Sequence, residues 1–409
     1  MPSSSGSVQS VNNISILLVS RMHKNRNIVI IALIAVVNAL GYGIIIPILY
    51  SYSHKFGLSD FENGLLFSLF AICSFVSTPI IGRLSDRYGR RPLLIVSIAG
   101  TGISFLMMAF APNAAILFLA RALDGFTAGN LPVASAVISD TTKPHERARG
   151  FGIIGASFSF GFIFGPAISA VTVGIWDALP FVIAAVISFI AVAATWLFLP
   201  ETNKHIGTIH KGKLFDLTRM WHSVKDPAVG ASFLITFTFA IALFMFIYGF
   251  QPYMVKELHL SPIQISALFT IFGVVGLISQ AMIGKIIKGF GLKRTFSGAF
   301  IAITLVFTAM FFTHSFAPFV VLNILLGFFN TTINPMTQTI LSHETEPHMQ
   351  GAMLGLNASY MNLGQIAGPI LGGLFATVGL TMPFLVAAVF TFACFLLSRH
   401  VMTHNTLTS

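Results

Sequence analysis

The sequence predicts an all-α membrane protein with twelve transmembrane helices, arranged as two parallel six-helix repeats around a central cavity. Charged residues make up 9% of the 409 residues and hydrophobic residues 55%, whereas a soluble protein carries about 25% charged residues. The apolar residues come in runs of about 20, the length at which an α-helix crosses the hydrocarbon core. Short motifs recur half a chain apart. A transmembrane barrel is excluded, because its strands alternate apolar and polar residues over about ten positions.

Hydropathy and the polar residues between apolar runs place the twelve spans. In chain order they are Ile28–Tyr50, Phe61–Ile81, Pro92–Ala111, Ala115–Ile138, Gly150–Val173, Leu179–Phe198, Gly230–Phe250, Pro262–Ile283, Phe296–Phe312, Phe316–Leu341, Gly351–Ala376 and Met382–Leu397. The predicted organisation is an N-terminal segment (1–27), a six-helix bundle (28–199), a connector (200–228), a second bundle (229–400) and a tail (401–409). Within the connector, Leu214–Val224 is expected to form a surface helix.

The placement of basic residues predicts the orientation. All Lys and Arg except Lys55, Lys256 and Arg121 fall in segments that lie on one side of the membrane. Basic residues near span ends favour the cytoplasmic side, so both termini are expected in the cytoplasm and the protein in a cytoplasmic (inner) membrane. The formal net charge of +10 is explained by this asymmetry, and a nucleic-acid partner is not expected.

Repeated motifs divide the chain into two halves. Gly82–Arg91 after span two is echoed by Gly284–Lys293 after span eight, and Gly165-Pro166 in span five by Gly368-Pro369 in span eleven. Pro144-His145 and Pro347-His348 form a third pair. Because each half contains an even number of spans, both halves insert with the same orientation and form parallel repeats.

Several motifs resemble those of a known transporter family. Gly82-Arg-Leu-Ser-Asp86-Arg87-Tyr-Gly89-Arg90-Arg91 is similar to the signature loop of the major facilitator superfamily. Further motifs resemble its twelve-span drug:proton antiporter branch, which includes tetracycline-efflux and multidrug-efflux pumps: Gly41-Tyr-Gly43-Ile-Ile-Ile-Pro47, Arg121-Ala-Leu-Asp124-Gly125, Gly161-x-x-x-Gly165-Pro166 and Pro200-Glu201-Thr202. The resemblance implies a secondary transporter that works by alternating access, with a small-molecule substrate and a proton gradient as its energy source instead of a cofactor.

Two departures from the branch affect this interpretation. The span-five motif ends in Ser169-Ala170 instead of the usual pair of glycines, and the fuller copy, Gly364-x-x-x-Gly368-Pro369-x-x-Gly372-Gly373, lies in span eleven. Asn38 stands where tetracycline pumps carry an acidic residue in the first span. Any proton site is therefore expected elsewhere.

Arg121 and Asp124 form the predicted proton-coupling site. Both lie within span four, whereas every other Asp and Glu lies in a loop or at a span end. Residues three apart share a helix face and can pair. Burial disfavours a charged carboxylate and a nearby guanidinium favours it, which would let Asp124 bind and release a proton while Arg121 adjusts its affinity. The alternative is a static ion pair that braces the helices.

Polar residues inside other spans are candidates for the substrate cavity. The set comprises Asn38, Tyr42, Tyr248, Gln251, Asn330, Asn334, Asn357 and Tyr360. Asn330 and Asn334 belong to a polar stripe in span ten with Asn323, Gly327 and Thr337. Such a stripe faces a cavity or neighbouring helices and not lipid. Hydrogen bonding between helices is the alternative for each residue.

The family motifs also imply gating elements. In the signature loop, Gly82 and Gly89 are expected to form a tight turn at either end of a charged core. Asp86 is expected to act as a cytoplasmic latch by pairing with Arg147 or Arg149 or with the start of span eleven, alongside Arg87 and Arg90. Gly161, Gly165 and Gly368 are expected to allow close helix packing, and Pro166 and Pro369 to bend both halves symmetrically. For the basic residues, a purely topological role is the alternative.

The sequence thus predicts a proton-coupled exporter of amphipathic small molecules or drugs. Two alternatives remain: a proton symporter that imports a small polar solute or siderophore, and a sensor or lipid-handling protein on the same fold. A metal site or a disulfide is not expected, because Cys73 and Cys394 both fall inside apolar runs. The absence of a phosphate-binding loop argues against an ATP-driven pump, an enzyme is not expected, and a monomer is.

Overall fold

The computed structural model describes residues 5–142, 147–203, 206–207, 217–346 and 349–401. Within these ranges the chain forms fourteen α-helices: α1 (Ser5–His54), α2 (Asp60–Tyr88), α3 (Arg90–Ala109), α4 (Ala114–Thr127), α5 (Asn130–Thr141), α6 (Arg147–Thr172), α7 (Leu179–Phe198), α8 (Leu217–Val224), α9 (Gly230–Lys256), α10 (Pro262–Phe290), α11 (Leu292–Phe311), α12 (Phe316–His343), α13 (Gln350–Val378) and α14 (Met382–Ser398). Helix α8 lies in the predicted connector. The N-terminal segment is helical from Ser5 and continuous with the first span.

The helices account for all twelve predicted spans. Nine helices in the described part of the chain are long and apolar enough to cross a membrane. The remaining predicted spans correspond to α4 with α5, to α6 and to α14, which has 17 residues. The all-α membrane architecture predicted from the sequence is therefore confirmed.

Span four is broken, contrary to the prediction of one continuous helix. Helix α4 ends at Thr127 and α5 begins at Asn130. Pro132 explains the break, because its ring nitrogen cannot donate to the carbonyl of Ala128 and its ring crowds that carbonyl. Gly129 fits the junction, since a Cβ there would lie 2.5 Å from the Ile81 side chain.

The signature loop is almost entirely helical, which corrects the predicted turn from Gly82 to Arg91. Helix α2 continues to Tyr88, and Gly82 lies inside it in open space. The chain reverses at the single residue Gly89, with φ +104°. Gly291 has φ +81° and separates α10 from α11 in the same way. Only glycine readily adopts this backbone conformation.

Helices α2 and α10 begin at the other end of the bundle from this turn, and their first turns have matching caps. The Ser59 hydroxyl accepts the backbone N–H of Glu62 at the start of α2, and the Glu62 carboxylate accepts the backbone N–H of Ser59. Ser261 and Gln264 repeat this capping box at the start of α10. The two halves therefore share their helix boundaries as well as their motifs.

Glycines bring α6 against α1 and α13 against α9, as their spacing predicted. A Cβ on Gly161 would lie 2.3 Å from the backbone carbon of Ala39, and one on Gly165 would lie 2.6 Å from the Cα of Gly43. In the second half, a Cβ on Gly364 would lie 2.4 Å from the Cβ of Ala240. The antiporter motif in each half is thus the contact between its fifth and first spans.

The two halves meet along α2 and α13 and along α6 and α10. Helices α1 and α9 end, and α2 and α10 begin, at one end of the bundle, here named the opposite end. The end where α2 meets α3 and α10 meets α11 is named the basic end, because it carries Arg83–Arg91 and Lys285–Arg294. At the opposite end a Cβ on Gly64 would lie 2.5 Å from the carbonyl oxygen of Pro369, so the halves are in backbone contact there.

Candidate transport site

A buried ion pair lies at the centre of the first half. The Arg121 Nη1 atom of α4 is 3.0 Å from the Asp124 Oδ2 atom one turn further on. The two residues are 4% and 6% exposed. The hydroxyls of Thr101 and Ser104 on α3 lie beside the carboxylate. The guanidinium carbon of Arg121 lies 4.7 Å from the centre of the Phe70 ring on α2, a favourable contact between a cation and an aromatic face.

This ion pair borders a narrow cavity formed by α1, α2, α3 and α4. Its lining contains Asn38 and Tyr42 from α1 together with Arg121 and Asp124. The rest of the lining is mostly apolar and aromatic and consists of Gly41, Ile45, Ile46, Phe67, Phe70, Thr101 and Phe105. The structure therefore brings the predicted coupling pair together with two of the predicted cavity residues.

A residue of the second half reaches this cavity. The side-chain amide of Gln365 on α13 donates to the Tyr42 hydroxyl, and the Tyr42 ring packs edge-on to Phe70 at 5.3 Å. Sequence reasoning missed Gln365, although a polar residue inside the glycine motif of span eleven was an available signal. Tyr42 thus connects the second half to the ring that covers Arg121.

Two buried nitrogen donors near the pair have no hydrogen-bond partner among the described residues. They are Nε of Arg121 and Nδ2 of Asn130. Asn38 donates its amide to Oδ1 of Asn130 at 2.8 Å. A buried donor without a partner is costly, so the site is suited to water or a ligand that supplies a hydrogen-bond acceptor.

Tyr248 and Gln251 do not line this cavity, contrary to the prediction. The Tyr248 hydroxyl donates to the backbone carbonyl of Asp60, and the Gln251 amide donates to the carbonyl of Ile46 while its oxygen accepts the Tyr50 N–H at 3.2 Å. Both side chains are buried at the opposite end. Their polar atoms satisfy backbone groups of the other half, which accounts for amide and hydroxyl groups at these positions.

Asn357 and Tyr360 are also engaged in helix packing instead of the cavity. The Oδ1 atom of Asn357 accepts the Thr236 hydroxyl at 2.6 Å and so joins α13 to α9. The Tyr360 hydroxyl donates to the carbonyl of Met220 on α8 at 2.6 Å, and its ring stacks on Phe233. These residues hold the connector helix and α9 against α13.

The polar stripe of span ten is divided between two environments. Asn323 is buried and donates to the carbonyl of Leu268 on α10 at 3.1 Å, and Gly327 packs against Phe272. Asn330 is half-buried and Asn334 is exposed. The interhelical alternative therefore applies to the first part of the stripe, and Asn330 and Asn334 remain candidates for the cavity.

A charged contact joins the halves at the opposite end. The Lys256 ammonium lies 2.8 Å from both carboxylate oxygens of Asp60, and the Tyr50 hydroxyl donates to the same carboxylate at 2.5 Å. Sequence reasoning did not single out Asp60, because acidic residues at span ends are common. This cluster of Asp60, Lys256, Tyr50 and Tyr248 is named the outer latch.

At the basic end, the charges of the signature loop form contacts within the first half. Arg90 lies 2.5 Å from Asp86 and 3.2 Å from Asp140 on α5. The guanidinium of Arg87 stacks over the neighbouring Tyr88 ring at 5.1 Å. Arg147 and Arg149 lie in the first turn of α6, and their side chains are outside the described part of the structure, so their pairing with Asp86 stays a prediction.

Glu201 explains the Pro200-Glu201-Thr202 motif. Its carboxylate accepts the backbone N–H groups of Arg90 and Arg91, at 2.9 and 3.1 Å, at the start of α3. The first N–H groups of a helix have no partner within the helix and attract an anion. A Cβ on Gly89 would lie 2.4 Å from the Glu201 carboxylate. The motif thus fixes the start of α3 and requires glycine at position 89.

Two six-helix halves, with a buried ion pair beside a largely aromatic cavity between helices, define the class of the protein as a multi-pass membrane transporter. The family model of the Major Facilitator Superfamily matches residues 31–250 and again residues 232–406. The chain belongs to this superfamily, which confirms the resemblance seen in the motifs.

Similar proteins of known function are drug-resistance transporters. The chain is 30% identical over 361 residues to multidrug resistance protein 2 of Bacillus subtilis (strain 168), covering 85% of this chain and 88% of that protein. It is 32% identical over 359 residues to the class G tetracycline resistance protein of Vibrio anguillarum, covering 84% of this chain and 89% of that protein. These relatives match the drug:proton antiporter branch.

Solved structures with the same fold cover nearly the whole chain. The human organic anion transporter MFSD10 (TETRAN) aligns with a TM-score of 0.70 at 19% identity, over 92% of this chain and 99% of that chain. A bacterial homologue of the human lysosomal transporter Spinster, in an inward-facing and unoccupied conformation, aligns with a TM-score of 0.77 at 15% identity, over 93% and 98%. At these identities the likeness shows the fold.

Proposed function

We propose that the protein exports amphipathic small molecules in exchange for protons by alternating access. The observation that carries the proposal is the buried Arg121–Asp124 pair beside a cavity whose walls are largely aromatic. The relatives named for multidrug and tetracycline resistance support export as the direction of transport.

Asp124 would carry the proton. Its carboxylate lies in the middle of span four. An ionised side chain at this depth in the membrane is costly unless it is paired. With Asp124 ionised, Arg121 supplies the compensating charge. When the carboxylate binds a proton, that attraction is lost and the guanidinium is no longer held where its unpartnered Nε can bind an acceptor on the substrate, so proton and substrate would occupy the site in turn, as exchange requires. Asn38 has a side-chain amide at the position where tetracycline pumps have a carboxylate. This difference supports placing the proton at Asp124 and not in span one.

The substrate would bind with its apolar part against Phe67, Phe70 and Phe105 and its polar part near Arg121. The unpartnered Nε of Arg121 favours a substrate that carries a hydrogen-bond acceptor. Aromatic side chains bind apolar bodies of varied shape through their large faces. This combination supports an amphipathic substrate.

Alternating access would use the two ends of the bundle as gates. The outer latch, with Gly64 against Pro369, closes the opposite end. The symmetric helices α6 and α13, each with an internal proline, are suited to rocking of the halves about the cavity. We place the basic end, and with it both termini, in the cytoplasm on the basis of the charge asymmetry.

The coupling role can be tested with Asp124→Asn in proteoliposomes. We expect efflux driven by a pH gradient to fall to the level of empty vesicles, while exchange of labelled for unlabelled substrate without a gradient continues. Asp177→Asn is the matched control, because Asp177 pairs with Lys55 on the surface. Intact gradient-driven efflux in Asp124→Asn would show that Asp124 does not carry the proton.

A further inference from the structure

An apolar groove lies between α10, α11 and α12 at the basic end. It is lined by Ile283, Ile286 and Phe290 of α10, by Gly298 of α11 and by Phe328 and Phe329 of α12, with a volume of about 240 Å³. Phe290 is 70% exposed. The groove extends from the last turns of α10 towards the middle of α12, in the direction of the bilayer centre.

The helices that form this groove carry several basic residues and no acidic ones. Lys285, Lys288, Lys293 and Arg294 follow one another within ten residues, and Arg294 itself lines the groove. The sequence from Pro262 to His343, which covers all three helices, contains no Asp or Glu. Within the described part of the chain, these four residues are involved in no ion pair.

The corresponding position in the first half carries an acidic residue instead of a basic one. Asp86 corresponds to Lys288 in the repeat, and in the first half Asp86 and Asp140 both pair with Arg90. The second half therefore has a lysine in place of the acidic residue that neutralises its counterpart loop. Setting the orientation in the membrane requires only positive charge, so it does not explain why an apolar groove lies beside Arg294.

Position 298 indicates that the groove is open to a ligand. Gly298 is exposed, and a Cβ at this position would have no heavy atom within 4 Å. The space beside α11 is therefore not filled by the protein.

We propose that this groove binds one anionic phospholipid. One of its acyl chains would occupy the apolar groove, and its phosphate would lie at Arg294, which lines the groove. Arginine and lysine bind phosphate through charge-assisted hydrogen bonds, and basic pockets between transmembrane helices bind anionic headgroups. The apolar lining and the lack of acidic residues favour a phospholipid over a soluble anion, which could not use the groove.

The proposal can be tested by native mass spectrometry of the purified full chain with added phosphatidylglycerol or phosphatidylcholine of the same acyl composition. We expect one phosphatidylglycerol to be retained in preference to phosphatidylcholine. Arg294→Gln should weaken this retention about fivefold, as expected for one basic residue near an anionic membrane surface. Lys225→Gln, which removes the same charge from α8–α9, should have no effect.

The variant Gly298→Leu tests the contribution of the groove independently of the basic residues. It fills the open space while leaving every basic residue in place, and we expect it to abolish the preference for phosphatidylglycerol. Glycerol phosphate at millimolar concentration should not displace the lipid. The proposal is overturned if the wild type binds both lipids equally, if Gly298→Leu retains phosphatidylglycerol, or if glycerol phosphate displaces it. None of these readouts depends on transport.

Discussion

Lys256 on α9 and Asp60 on α2 form an ion pair across the two halves, with the ammonium 2.8 Å from both carboxylate oxygens. Asp60 is 9% exposed, and its backbone carbonyl accepts the Tyr248 hydroxyl from the same helix as Lys256. The carboxylate is buried, whereas the Lys256 side chain is 36% exposed, so water screens this pair less than a pair on the surface. The outer latch therefore contributes to closing the opposite end of the bundle.

Asp60→Asn is expected to open the opposite end more often, because Lys256 loses its charged partner. Phe67 lies two turns further along α2 and lines the cavity. A cysteine at position 67, in a background without Cys73 and Cys394, should react with a membrane-impermeant maleimide from the opposite end about tenfold faster in Asp60→Asn, which corresponds to some 1.4 kcal/mol of closure free energy.

Glu62→Gln is the matched control for Asp60→Asn. It removes a carboxylate from the same turn of α2 but preserves the capping interaction with Ser59. An equal increase in labelling with Glu62→Gln, or none with Asp60→Asn, would argue against the latch.

Gly89→Ala is expected to destabilise the protein more than Gly291→Ala. Both residues have positive φ, so each alanine stores about 1–3 kcal/mol of backbone strain. At position 89 the new Cβ would also meet the Glu201 carboxylate, whereas Gly291 is surrounded by open space. Thermal unfolding in detergent measures the difference, and equal losses would mean that Glu201 does not constrain the turn.

Close packing of α13 on α9 can be tested within a single helix. Gly364→Ala places a Cβ 2.4 Å from that of Ala240, while Gly355→Ala on the same helix enters open space. Overpacking of this kind costs about 1–3 kcal/mol, so Gly364→Ala should lower the unfolding temperature and Gly355→Ala should leave it unchanged or raise it. A loss of stability confined to Gly355→Ala would contradict the packing described.

The orientation predicted from the charges can be tested with single cysteines. Both native cysteines are buried, so Ser261→Cys at the opposite end and Gly284→Cys at the basic end report one side each. In intact cells an impermeant maleimide should label Ser261→Cys, and Gly284→Cys only after permeabilisation. The reverse pattern would invert the topology.

The sequence was sufficient for the fold and for the contact between Arg121 and Asp124. Hydropathy located every span, and the period of the motifs gave the two halves, because both depend on residue type along one chain. Arg121 and Asp124 could be paired from their spacing on one helix. The break in span four could also have been predicted from Pro132.

The remaining site residues depend on which helices meet, and this was not readable from the sequence. Asn357 and Tyr360 have the same polar character as Asn38 and Tyr42, yet Asn357 bonds to Thr236 and Tyr360 to the connector helix. Gln365 and Asp60 act across the halves, so the pattern within their own helices shows a polar residue but not the residue that it contacts. A polar residue in a span indicates that its side chain has a hydrogen-bond partner. It does not specify whether that partner is a ligand or a neighbouring helix.

The most direct test of the proposed coupling is substrate-dependent proton movement in proteoliposomes, measured with a trapped pH indicator. With the wild type and with Asp177→Asn, addition of a transported substrate should move protons in the direction opposite to the substrate. With Asp124→Asn the substrate should still exchange across the membrane, but the internal pH should stay constant. Proton movement of wild-type size in Asp124→Asn would contradict the account.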